Sequence, residues 1–207
     1  MNRIFYSLTT TATMLLLSCS IALADSANDS FNMGFEQHKT GDLLNAVRSY
    51  SKAISKDSTF AMAYQMRGIA WQQLKKYSDA INDYSTMITV GDPSFQAVGY
   101  YNRGVVKNMI GDFAGAIPDF SQAIILNQKM GVAFFHRGLS KSKMGDMDGR
   151  MEDFRRAARL GDSNALQWLN TYYPDWRVPP VPPPAPAPQE QTAPQPASVS
   201  NPTVSAT

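Results

Sequence analysis

Through the middle of the chain apolar residues recur at three- and four-residue intervals: Tyr64, Ile69, Ala70 and Trp71, then Tyr77, Ala80, Ile81, Tyr84 and Ile88. That spacing gathers each set on one face of a helix. The break between the two sets falls at Lys75-Lys76, and equivalent breaks stand at Gly41-Asp42, Gly111-Asp112 and Gly145-Asp146. Glycine there supplies a left-handed helix stop, and aspartate is a side-chain cap for the helix that follows. The pattern predicts a succession of tight antiparallel helix pairs, and no segment alternates as a strand would.

The pairs are copies of one another. Glycines recur at Gly34, Gly68, Gly104 and Gly138, spaced by 34, 36 and 34 residues. Aromatics keep step at Tyr50, Tyr84, Phe120 and Phe154, as do small residues at Ala46, Ala80 and Ala116. Ile54, Ile88 and Ile124 hold a fourth position, which Ala158 occupies with a smaller side chain. Two helix axes approach closely only where side chains are absent or small, which accounts for the glycine and alanine positions.

The order glycine, then Gly-Asp-aromatic, then Ala-x-x-x-aromatic-x-x-Ala resembles the tetratricopeptide repeat (TPR), over residues 27 to about 164. The resemblance implies an all-α, right-handed α-solenoid of about four helix hairpins. These fall at about 27–60, 61–94, 97–130 and 131–164, with a C-terminal capping helix at 163–173. An open stack needs such a cap because its last repeat otherwise exposes an apolar face. Ala165, Leu166, Trp168, Leu169 and Tyr172 form the stripe for it, and Pro174 ends it.

Departures from the pattern carry expectations too. Glu36 stands where Ala70 and Val106 do, and Arg150 stands where the small residue belongs, so the two end units are expected to be the loosest. Pro118 lies inside a second helix and is expected to bend it. The Gly91-Asp92-Pro93 linker carries the two extra residues of the 36-residue spacing. Arg67, Arg103 and Arg137 precede their glycines, and each is matched by an acid before the second-helix aromatic: Asp83, Asp119 and Asp153. In repeat one both are absent together, replaced by Met33 and Ser49. A cross-helix ion pair explains the coupling, and two independent solvated charges are the other reading.

Composition divides the chain into three parts. Residues 1–24 are apolar and acid-free, residues 25–173 have globular composition, and residues 174–207 hold 11 of the 13 prolines. Arg3, the apolar stretch from Ile4 to Leu17 and the small residues of Ala22-Leu23-Ala24 make the first part a secretory signal peptide. Two processing outcomes fit it. Cleavage after Ala24 releases a soluble protein to the periplasm or cell envelope. Alternatively Leu16-Leu17-Ser18-Cys19 resembles a lipobox, which implies acylation at Cys19 and an outer-membrane anchor. Without the leader 18 basic residues face 17 acidic ones, so no field recruits nucleic acid, and a membrane is a partner only through lipid on Cys19. The tail, with Val178-Pro179-Pro180-Val181-Pro182-Pro183-Pro184, reads as an extended, disordered spacer or as a proline-rich ligand that folds along the groove or meets another domain.

Little in the chain supports catalysis. His38 and His136 have no histidine or cysteine at metal-ligand spacing, and no phosphate loop or nucleophile elbow is present. No catalytic residue, metal or cofactor is expected. The resemblance instead implies a concave ligand surface along the first helices, made by Phe31 and Phe35, Gln65 and Ile69, Tyr101, Val105 and Met109, and Phe135 and Leu139. Met62, Val98 and Val132 extend the stripe, bordered by Gln72, Gln73, Asn108 and Lys143. Relatives that grip a C-terminal carboxylate use lysines, asparagines and an arginine on this surface, where this chain is mostly apolar. The expectation is therefore a protein or peptide partner that buries apolar side chains, held by an exported scaffold. An anchored structural or envelope-biogenesis factor is the alternative.

Overall fold

The computed structural model describes residues 26–177. Among these residues the chain forms nine α-helices and no strand: α1 (Ala27–Lys39), α2 (Leu43–Lys56), α3 (Ala61–Gln73), α4 (Tyr77–Val90), α5 (Pro93–Met109), α6 (Phe113–Leu126), α7 (Gly131–Lys143), α8 (Met147–Arg159) and α9 (Ser163–Tyr172). The segment expected to be a signal peptide, Cys19 within it, and the proline-rich run from Val178 onward lie outside the described residues.

Local chemistry sets the hairpins. Gly41, Gly111 and Gly145 take φ of 81, 84 and 86°, in the left-handed region open to glycine, and stop the first helices. The next residue caps the second helix: the carboxylates of Asp112 and Asp146 accept from the backbone N–H of Gly115 and Gly149 at 2.8 Å. Repeat two lacks this chemistry but keeps the turn, with Lys75 forced to φ 58° and no side-chain cap from Lys76.

Packing within a hairpin centres on the repeat glycines. A Cβ on Gly34, Gly68, Gly104 or Gly138 would sit 2.7–2.9 Å from the ring of Tyr50, Tyr84, Phe120 or Phe154 respectively. The aromatic therefore lies across the glycine itself and does not merely fill space beside it. All four rings are fully buried, each contributing on the order of 2–3 kcal/mol of apolar burial.

The two extra residues do not lengthen the linker. The connection before α5 shrinks to Gly91-Asp92, and α5 starts at Pro93, one turn ahead of Ala97, the register equivalent of Ala61 and Gly131. Pro93 is fit for a first helical turn, and Asp92 accepts from the N–H of Ser94 and Phe95 at 2.8 and 3.1 Å. α6 runs unbroken through Pro118.

The coupled charges are ion pairs. Arg67 forks onto Asp83, Arg103 onto Asp119 and Arg137 onto Asp153, with Nη2 to Oδ1 at 2.6, 2.7 and 2.6 Å and Nε to Oδ2 at 2.9 Å in each. The same guanidinium also reaches backward, its Nη1 donating to Ser51, Ser85 or Ser121 of the preceding repeat at 2.9–3.1 Å. Each arginine thus ties its own hairpin together and links it to its neighbour. Bidentate, largely desolvated pairs of this kind fix register strongly. Past α9, Trp176 folds back into the core, its Nε1 donating to Asn170 Oδ1 at 3.0 Å.

Candidate functional site

First helices of successive repeats touch one another along one side of the stack, α1 with α3, α3 with α5 and α5 with α7. The second helices pack chiefly against first helices. The first helices therefore form the inner layer, and their faces turned away from the second helices make a continuous surface. Side chains bridge along it: His38 Nε2 meets Gln73 Oε1 at 3.1 Å, Gln72 Nε2 donates to Met109 Sδ at 3.3 Å, and Ser140 Oγ donates to Asn108 Oδ1 at 2.8 Å.

The residues singled out in the sequence divide into three groups. Phe35, Met109 and Leu139 stand open to solvent at 42, 51 and 37 % exposure. Met62 and Val132, from the extended stripe, are exposed with them. Gln65, Ile69 and Val105 are half-buried. Phe31, Tyr101 and Phe135 face the same surface but give much of their rings to the core: Phe31 packs on Tyr50 and Phe60, Tyr101 on Phe120, and Phe135 on Phe154 at 5.0 Å between centroids. Burial, with the Asp162 charge adding to it, pushes the Tyr101 hydroxyl above its ordinary pKa.

The histidines are unlike. His136 sits among the rings of Tyr101, Phe120 and Phe135, 5.6–5.8 Å between centroids, and desolvation holds its pKa below the usual imidazole value against a smaller upward pull from Asp162. His38 lies nearer the surface above Tyr50, with Nδ1 buried and unpartnered. The Tyr50 hydroxyl is likewise without a partner, and burial pushes its pKa up to about 12. Among the described residues no His, Cys, Asp and Glu cluster could hold a metal ion.

One part of the surface carried no sequence signal of its own. α9 takes the place of a further first helix, and between it and Phe135 opens a cleft of about 320 Å³ lined also by Asn164, Gln167, Trp168, Thr171 and Tyr172. The stripe on α9 reads as a cap, and its Ala165 and Leu169 are indeed buried. Tyr172, assigned to that stripe, instead stands exposed at the cleft. The signal that finds this wall is positional: a cap that replaces a first helix continues the inner layer.

Comparison with known proteins agrees with this geometry. No family model matches the chain. Bovine (Bos taurus) neutrophil cytosol factor 2 is 34% identical over 59 residues, 28% of this chain and 11% of that protein. Human (Homo sapiens) serine/threonine-protein phosphatase 5 is 28% identical over 102 residues, 49% of this chain and 19% of that protein. The matched segments thus span under a fifth of those relatives. Among solved structures, MamA superposes with a TM-score of 0.61 at 24% identity, covering 69% of this chain and 83% of MamA. YrrB, described as a TPR protein with an unusual peptide-binding site, gives 0.59 at 18% identity over 76% of this chain and 84% of its own. The first TPR domain of RPAP3 (Spaghetti), bound to an HSP90 peptide, gives 0.51 at 24% identity over 56% and 91%. Helix hairpins, their register and these superpositions converge on one fold: the described residues form an α-solenoid of helix hairpins of the tetratricopeptide-repeat type.

Proposed function

We propose that this protein is an exported scaffold that holds an apolar segment, an extended peptide or one face of a helix, from a partner protein along its first helices. The observation that carries the reading is the row of exposed apolar side chains at Phe35, Met62, Met109, Val132 and Leu139 on the inner layer, bordered by amides. Apolar surface of this kind is stabilised by a ligand that removes it from water, at about 25 cal/mol per Å². The peptide-binding site of YrrB and the peptide held by RPAP3 support the use of this fold for a peptide ligand, and the apolar character of the ligand rests on this chain's own side chains. No residue is assigned a catalytic role.

Affinity capture from envelope extract tests it, with wild type, a Met109→Glu, Leu139→Glu double variant and an Ile125→Glu control outside the first helices. Partners retained by wild type and the control but lost by the double variant, with unchanged thermal unfolding, are expected. Identical captures by all three would count against the groove.

Export rests on the leader ending in Ala22-Leu23-Ala24, and anchoring on Leu16-Leu17-Ser18-Cys19. Among the described residues no helix is long and apolar enough to cross a membrane. Mass spectrometry of the mature N-terminus separates the two outcomes: Asp25 at the start indicates soluble release, and an acylated Cys19 indicates the anchored factor.

A further inference from the structure

Repeats one, two and three carry Ala46, Ala80 and Ala116 on the second helix, each with no exposed surface. Repeat four carries Arg150 at that position, in a hairpin whose Gly138 and Phe154 remain as tightly apposed as their counterparts. The guanidinium leaves the interface. Its Nη1 lies 3.4 Å from Ser142 Oγ, and its centre stands 4.9 Å from the Trp168 ring centroid. Ser142 continues the groove series His38, Gln72 and Asn108, and Trp168 lines the cleft beside α9. Both contacts put the cation at the C-terminal end of the groove.

No anion within the described residues meets it. Arg67, Arg103 and Arg137 each fork onto an aspartate, whereas Arg150 forms no ion pair, and its Nε is buried without an acceptor. Asp153, three residues on, is already shared by Arg137 and Lys141. The cleft lining holds no charged residue, and the side-chain amides of Asn164 and Gln167 make no bond within the described residues. A partly desolvated guanidinium is costly without a counter-charge, and it binds carboxylates with a planar fork.

We propose that Arg150 is the anion-binding end of the groove, taking a carboxylate of the bound peptide while the residue bearing or flanking it lies in the cleft against Phe135 and Trp168. The inference deepens the groove reading and rests on it. It also differs from a clamp built on first helices, because the charge comes from a second helix at a position where the other repeats carry alanine. A C-terminal carboxylate and an acidic side chain offer the same chemistry, so the test uses both.

Full-length protein labelled with ¹⁵N is titrated with N-acetyl-phenylalanine, with its neutral amide, and with N-acetyl-aspartyl-phenylalanine amide, following the Trp168 indole N–H. Wild type is expected to bind a carboxylate-bearing probe about tenfold more tightly than the neutral amide, the worth of one charged hydrogen bond. The free acid gaining that advantage identifies a chain terminus as the source, and the aspartyl probe gaining it identifies a side chain. Arg150→Ala is expected to abolish the advantage with its unfolding midpoint unchanged or raised, because alanine is what the other three repeats carry there. Equal binding of acid and amide by wild type overturns the inference while leaving the groove reading intact. A preference retained in Arg150→Ala, or no shift with any probe, overturns it as well. An Arg150→Ala variant that no longer folds makes Arg150 a packing residue and does the same.

Discussion

In repeat four Arg137 forks onto Asp153 at 2.6 and 2.9 Å, and Lys141 shares the same carboxylate at 2.9 Å. In repeat one the equivalent positions hold Met33, Ser49 and Gln37, joined only by a neutral bond of 2.7 Å from Ser49 Oγ to Gln37 Oε1. The difference follows from place in the stack. An arginine in repeats two to four has a serine of the preceding repeat to reach; among the described residues repeat one has nothing before it, and Met33 is exposed. The charged rung is therefore a device for joining repeats as much as for closing a hairpin, which is why both of its members vanish together at the first unit.

Breaking the two closures separates them. Asp153→Ala strands two cations in a nearly dry site and is expected to lower stability by about 3 kcal/mol, whereas Ser49→Ala removes one neutral bond at about 1 kcal/mol. Urea unfolding of both variants checks the ratio, and equal losses would deny the rung its role. Packing, in contrast, is expected to be alike at the two ends. Gly138→Ala and Gly34→Ala would each place a Cβ 2.8 Å from a buried ring, so each should cost about 2 kcal/mol by the same measurement.

Acid sharpens the comparison at a smaller scale. Desolvation lowers the pKa of His136 from its ordinary 6.5, so the unfolded chain binds the proton more readily than the folded one. Stability is therefore full above about pH 6.5 and is lost as pH falls from there through the folded pKa. His136→Met, which installs the residue repeat two carries, is expected to flatten that slope in thermal melts taken from neutral pH to pH ~5. The smallest effect concerns the turns. Lys75 occupies the left-handed position that Gly145 fills in repeat four, and Lys75→Gly should raise stability by up to about 1 kcal/mol in urea.

Much of this architecture was legible in the residues because it is periodic. The glycine, alanine and aromatic positions recur at one spacing, and packing demands the same of each copy. The arginine and aspartate pairs showed themselves by appearing and disappearing together. What the sequence did not show depends on single places in the stack. The extra turn at Pro93 takes up residues that the spacing assigned to the Gly91-Asp92-Pro93 linker, because proline and Asp92 initiate a helix where a spacing count sees only two added residues. The burial of Phe31, Tyr101 and Phe135 against second-helix rings is invisible to a pattern that assigns whole residues to a face. Trp176 has no periodic counterpart, and the exposed wall of α9 follows only once the cap is known to sit where a first helix would.

On the proposed function, the inner layer and no other surface meets the partner. A photo-crosslinking residue at Leu139 in one protein and at Ile125 in another, irradiated in intact cells, tests it most directly. Crosslinked species are expected from position 139 and none from position 125; crosslinks from both alike, or from position 125 alone, would place the partner elsewhere.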